Sequence, residues 1–542
     1  MKAMHYQRLV SSALTGLEGL RVEIEVSILP GLPNFDISGR CDPAVHESRD
    51  RVRAAICNSG YHFPKGRVIA SYAPAALPKQ GSAFDLALSI AILAASGQII
   101  APARRPAPAF LGELSLNGQV KPVKGILGRL MALEAAGISQ VVGPLEGQAE
   151  AQLLERMDYQ GVASRKEAVE RFSGIRGRPS ADKGQDLLPK DPTSYLLDGI
   201  RGQEEGIRAI SIAAAGWHPL LLLGAPGCGK SMLASALPQI LPDMDKKESL
   251  EVGMAYSAAG KDRPSASFRQ RPFRRTHHSI TSPALIGGGS LPQPGECSLA
   301  HRGVLFLDEL TEMNPRVLDS LREPLEVRAI HLARSSWKLT FPSDFLLVAA
   351  ANPCRCGHLL EPGSLCRCPD GLIRRHLSRI SGPLLDRFDL VSMLTRVPSK
   401  NLLTSRPASQ LNRGQAIRGQ VARAWQIQKT RQGCLNSQLQ LTDPGSQLDI
   451  DKPIMAFAGQ MADSAQHSAR AFYSMLLLAR TIADLDLRET VTREDLAEAF
   501  HYKAKLPWPD QGGLTGKTLI WPLLLPLLPA SRGSAIRTVR RC

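Results

Sequence analysis

Residues 219–237 read PLLLLGAPGCGKSMLASAL, an apolar run, a loop with three glycines and a helix-forming stretch. Gly224 to Ser231 fit G-x-x-x-x-G-K-S without a mismatch. Nothing else in the chain restricts its fold so tightly. The loop Gly224, Ala225, Pro226, Gly227, Cys228 and Gly229 lets backbone N–H groups converge on phosphate oxygens, and the helix that follows presents its positive end to them. Lys230 would reach the β and γ phosphates of a nucleotide such as ATP, and Ser231 would bind Mg2+ through its hydroxyl. A chance match is the alternative, and the flanking strand and helix argue against it.

Two later apolar runs gain meaning from this loop. GVLFLDEL, 303–310, ends in Asp308 and Glu309. Asp308 at a strand tip can hold the Mg2+ shell while Glu309 polarises an attacking water. DFLLVAAAN, 344–352, ends in Asn352, whose amide can orient that water from a neighbouring strand. Three strands that each deliver a polar group at the carboxyl end suit an open parallel sheet, where ligands bind. Arg387 in SGPLLDRFDL and Arg470 in HSARAF complete the catalytic set. Arg387 follows a turn and can reach the γ-phosphate of a neighbouring subunit. An ordinary ion pair is the competing reading for both arginines, and the sequence leaves the two open.

With 542 residues the chain can bury several cores, so two to four domains are expected. The first twenty residues lack the apolar core and cleavage site of a signal peptide, and LIWPLLLPLLP near the C-terminus is too short to span a membrane. A cytoplasmic, non-membrane protein is expected, with reduced thiols. Its formal charge of +16 favours a polyanionic partner. Between Asp370 and Leu435 there are twelve Lys and Arg against three Asp and no Glu. That stretch reads equally as a solvated basic face or a nucleic-acid footprint.

Strand-like and helix-like runs alternate over 1–172, followed by a linker at 173–194 poor in large apolar side chains. A second α/β pattern covers 195–397, helical periodicity covers 398–513, and the basic tail 514–542 shows no period.

The chain resembles the magnesium chelatase-like AAA+ ATPases of the ComM/YifB family from about residue 5 to about residue 508. The resemblance is carried by DPAVHESRDRVRAA, GAPGCGKSMLA, RPFRRTHHSITSPALIGGGSLPQPGECSLAHRGVLFLDEL, NPCRCG, SGPLLDRFDL and the SARAF to ARTIADLD stretch. Thr276 and Cys297 depart from the family pattern, where Pro and Ile are usual, without touching the phosphate chemistry. The resemblance implies an α/β chain with a Lon-protease-like N-terminal domain, an AAA+ P-loop core built on a parallel sheet, and a C-terminal helical lid. It also implies a hexameric ring, with Arg387 as the arginine finger given in trans and Arg470 at the sensor-2 position. Its ComM members are branch-migration helicases of natural transformation, so single-stranded or branched DNA is the implied partner.

By the same resemblance ALIGGGSLPQPGE and RAIHLARSSWKLTFP are insertions that contact DNA, the second read as two-stranded. Arg328, Arg334 and Lys338 are its candidate phosphate contacts, and Trp337 stacks on a base or simply packs. His277 and His278 read as structural residues at a strand end. Cys354, Cys356, Cys366 and Cys368 form C-x-C-x9-C-x-C, enough ligands for one structural Zn2+, with His358 a substitute for one thiolate. Four reduced thiols without metal are the alternative.

Two other functions compete with the helicase. One is an ATP-dependent protease or chaperone-like ATPase using the Lon-like domain. Against peptidase activity, Ala83 and Leu127 stand at the positions of the Lon nucleophile and lysine, with Ser82 and Lys124 as neighbours. The other is a chelatase-type motor subunit, which would need partner subunits.

Overall fold

Along Glu18–Leu29 the side chains of Val22, Ile24, Val26 and Ile28 are buried in turn, the period of two that gives a strand one dry face. In the computed structural model this is β2. It pairs antiparallel with β1 (Tyr6–Thr15) and β4 (Arg67–Ala73), and β3 (Asn34–Ser38) lies parallel to β4. Described are residues 5–503 without 39–41, 76–78, 80, 101–106, 175–194, 265–266, 290–291, 335–336, 362–365, 399–411 and 466. The expected tail at 514–542, and the expected linker apart from Ser173 and Gly174, lie outside the described residues.

Every residue of the helix Asp85–Ala95 is buried, and it packs against β1 and β2. A helix apolar on all sides belongs in the middle of a module, and this one fills the N-terminal core with Val22, Ile24 and Phe110. Beside it β5 (Ala109–Phe110), β8 (Gln140–Pro144) and β9 (Asp158–Val162) form a parallel sheet, and β6 (Glu113–Leu114) pairs with β7 (Val120–Lys121).

The second sheet is parallel throughout. Its strands are β10 (Leu220–Gly224), β11 (Phe273–Thr276), β14 (Val304–Leu307), β17 (Leu346–Ala351) and β18 (Leu390–Leu394), in the order β11-β14-β17-β10-β18. Strands β10, β14 and β17 are buried on both faces, which explains their unbroken apolar sequences. Leu220, Leu222, Phe306 and Val348 enter one core, and Leu221, Leu223, Leu305 and Leu347 enter the other.

The first of these cores also takes in the C-terminal helices Arg413–Gln432, Ala469–Leu485 and Arg493–Tyr502 through Val421, Met475 and Leu496. Trp425 Nε1 donates to the Ala214 carbonyl at 2.9 Å, and Arg208 bonds both Asp486 (3.0 Å) and Glu498 (2.8 Å). The second core reaches the N-terminal module through Leu17. Two hairpins leave the sheet: β12 (Gly287–Gly288) with β13 (Gln293–Pro294), and β15 (Ala329–Arg334) with β16 (Trp337–Pro342). No described helix is long and apolar enough to cross a membrane.

Candidate phosphate site

Parallel register sets Leu307 beside Ala349 and Leu223 beside Ala351, so the chain leaves β14, β17 and β10 at one edge of the sheet. That edge gathers Asp308, Asn352 and the loop after Gly224. Within the loop Gly227 (φ 77°) and Gly229 (φ 96°) hold left-handed backbone, which favours glycine. A Cβ on Gly224 would lie 2.5 Å from the Leu394 carbonyl oxygen of β18, so the first glycine is a packing requirement.

Lys230 Nζ donates to the carbonyls of Gly224 (2.7 Å) and Ala225 (3.0 Å) and to Asn352 Oδ1 (3.0 Å). Burial pulls its ammonium below the ordinary lysine range. Ser231 Oγ lies 3.4 Å from Asp308 Oδ2. A hydroxyl and a carboxylate at that separation, beside a lysine and a glycine loop, form the donor set that a magnesium-bound triphosphate requires, so the residues fit the group.

Sequence reading missed two residues here and read a third, His278, only as structural. Arg275, just before the end of β11, donates to Asp308 Oδ2 at 2.6 Å. His278 Nδ1 lies 2.7 Å from Glu309 Oε2, so this histidine at the strand end faces the acidic pair. Gln203 Nε2, buried, donates to the carbonyls of Cys228 and Thr395, both at 2.8 Å, and ties the loop to the end of β18. The paired histidines of RTHHS are a visible signal; Gln203 has none. Glu309 itself has left-handed backbone (φ 52°), uncommon for a non-glycine residue and a conformation that clusters at functional sites.

The two arginines of the predicted set lie close enough for the charge of Arg470 to act on Arg387. Arg387 forms an ion pair with Glu326, and Arg470 is exposed at the start of the helix Ala469–Leu485. Neither hydrogen-bonds Lys230, Asp308 or Glu309 among the described residues.

On the second hairpin Arg328 sits at the base, 3.9 Å from Asp344, while Lys338 is exposed on the outer face. The side chains of Arg334 and Trp337 lie outside what is described. In the N-terminal module Ser82 donates its hydroxyl to Glu113, and no lysine is among its partners in the described residues.

Cys354, Cys356, Cys366 and Cys368 converge, with all four Sγ atoms within 4.8 Å of one another. Cys354 lies 3.3 Å from Cys356 and 3.7 Å from Cys366, and Cys356 lies 3.6 Å from Cys366. Sulfurs at the corners of a tetrahedron around zinc stand about 3.8 Å apart, so the set fits that ion. His358 is turned to Glu361 Oε2 at 2.6 Å, away from the role of a fifth candidate ligand. The same loop abuts the phosphate loop: a Cβ on Gly357 would lie 2.3 Å from Pro226 Cδ.

Three family models match successive parts of the chain: "Subunit ChlI of Mg-chelatase" over residues 24–147, "Magnesium chelatase, subunit ChlI" over 196–402 and "Magnesium chelatase, subunit ChlI C-terminal" over 412–503. The chain is 40% identical to the uncharacterized protein YifB of Salmonella typhimurium and 38% identical to that of Escherichia coli. It is 36% identical to the competence protein ComM of Haemophilus influenzae. Each comparison covers 91% of this chain and 96% of the relative.

Proposed function

The chain belongs to the magnesium chelatase-like YifB and ComM family, and from that premise we propose that it is an AAA+ ATPase that couples ATP hydrolysis to movement on DNA. In this reading it is a hexameric, cytoplasmic branch-migration helicase acting in natural transformation or recombination. The observation that carries the ATPase is the convergence of Lys230, Ser231, Asp308, Glu309 and Asn352 at one sheet edge. The DNA reading is supported by the competence relative and by the formal charge of +16.

Lys230 exchanges its carbonyl acceptors for phosphate oxygens, and its partial desolvation strengthens that contact. Ser231 and Asp308 would hold Mg2+, which would supply charge neutralisation for the phosphates. Glu309 takes the proton of the attacking water once His278 releases its carboxylate, and Asn352 fixes the water's orientation. Arg387 and Arg470 serve the site of an adjoining copy in this reading. Residues 1–172 form the Lon-like domain, 195–397 the motor and 398–513 the lid, with 173–194 as the linker between the first two. Arg328, Arg334 and Lys338 touch DNA phosphates.

Purified protein is expected to unwind a synthetic Holliday junction with ATP, and Lys230→Ala and Glu309→Gln to abolish it. ATP turnover without strand movement on any branched substrate would sink the helicase reading.

The four cysteines hold one structural Zn2+ in this proposal, bracing both Asn352 and the phosphate loop. Protein purified without added metal should carry close to one zinc per chain, and Cys354→Ser should lose it. Well under one equivalent in the wild type would remove the ion.

A further inference from the structure

The helix Arg322–Val327 sets Arg322 and Glu326 four residues apart, on one face. Glu326, half exposed, forms the ion pair with Arg387. Arg322 lies 2.9 Å from Asp319 Oδ1 and donates to Ser381 Oγ at 3.3 Å. The Nε atoms of Arg322 and Arg387 are both buried without an acceptor among the described residues. Arg470 adds a third guanidinium, with no carboxylate partner among the described residues. It stands close enough for its charge, like that of Arg322, to act on Arg387.

The nearby carboxylates do not balance this charge. Asp389 accepts from Ser474 and His218, and Lys503 lies 3.8 Å from it with Asp386 in its field. Among the described residues Asp319 and Glu326 are the carboxylates ion-paired with this set of three guanidiniums, and two Nε–H donors are unsatisfied. Such an arrangement suits an oxyanion that accepts several charge-assisted bonds at once, as a terminal phosphate does.

We propose that Arg322 is a second arginine offered, with Arg387, to the triphosphate held by an adjoining copy of this chain, and that Glu326 is the counter-ion this phosphate displaces. The proposal rests on the reading of Arg387 as acting in trans. It also gives the site an output. The helix ends at Arg328, whose left-handed backbone (φ 57°) opens β15, so the segment that loses its Glu326 contact leads directly into the hairpin expected to touch DNA.

Mixed assemblies of full-length chains test it. Glu309→Gln protomers keep their arginines but cannot hydrolyse, and Arg387→Ala protomers keep a hydrolytic site but lack the finger. Mixing the two should restore ATP turnover that neither has alone. Adding Arg322→Ala to the Glu309→Gln partner should cut the restored turnover at least about tenfold. Single Arg322→Ala protomers should still be rescued by Glu309→Gln partners, which shows that they fold and assemble. Failure of the first mixture would refute the trans reading of Arg387. Full turnover with Arg322→Ala on the donor, or no rescue of Arg322→Ala protomers, would overturn the role of Arg322 while leaving Arg387 in place. Glu326→Gln in the homomeric protein should lower the KM for ATP about threefold or more. An unchanged KM would overturn the counter-ion role.

Discussion

Asp85 opens the buried helix of the N-terminal module with its carboxylate fully enclosed. Its partners are Arg51, with Nε 3.0 Å from Oδ2, and the Leu114 backbone N–H at 3.3 Å. Burial outweighs both and pushes the carboxyl from 3.8 up to about 7. At Arg51 the balance is reversed: burial lowers it, but its bond to Asp85 wins and holds it above the ordinary value. Burial wins at Asp85 because the carboxylate is sealed, whereas the Arg51 side chain is 23% exposed and can take water as a partner. Since the folded value lies above the unfolded one, the folded state binds this proton more tightly. Its stabilisation is complete below about pH 4 and is lost as pH rises through about 7. The difference between the folded and unfolded values corresponds to about 4 kcal/mol across that window. Asp85→Asn keeps the shape and one acceptor but cannot ionise. Urea unfolding of wild type and variant at pH 5 and pH 8 should show the wild type losing stability relative to Asp85→Asn by about 3 kcal/mol over that interval. Equal pH dependence in the two proteins, with the variant less stable at both, would mean that Asp85 is ionised against Arg51, and the reasoning would fail.

Two further outcomes follow from buried partners. Gln203→Ala strips the Cys228 and Thr395 carbonyls of their donor, a loss of about 2 kcal/mol that should appear as a raised KM for ATP, while Gln203→Glu should not restore it. Arg208→Met removes the guanidinium that bonds Asp486 and Glu498, while Asp486 keeps its pair with Arg488, and should destabilise the docking of the C-terminal helices by about 1–3 kcal/mol, read as a lowered melting temperature.

Features written into short contiguous stretches are legible in the sequence. Strands β10, β14 and β17 stand out because burial on both faces demands unbroken apolar runs, and the glycine loop because phosphate binding demands a particular backbone. Asp308, Glu309 and Asn352 are recognisable as strand ends. What escapes depends on contacts across long sequence gaps. Gln203 acts through two carbonyls at 228 and 395, and nothing in RGQEEG marks it. Arg275 and His278 require knowing that β11 lies next to β14, an edge position set by the crossovers. The grouping of Arg322, Arg387 and Arg470 is equally hidden, since each sits in a different helical segment or turn.

The hairpin β15–β16 shows how the modules constrain one another. Ile330 and Phe341 are buried and Leu332 and Leu339 half-buried, in one cluster with Leu17, whereas His331, Lys338 and Thr340 alternate with them and face solvent. The apolar face therefore lies under the β1–β2 turn, where a Cβ on Gly16 would come within 3.1 Å of Leu339. With period-two alternation a shift of one residue would bury Lys338, so the N-terminal turn fixes the register as well as the position of the hairpin. At its base the hairpin continues from the helix that carries Arg322 and Glu326. The segment is thus held at one end by the N-terminal module and at the other by the arginine cluster. Contact with the N-terminal module is therefore part of what positions the hairpin of the proposed motor.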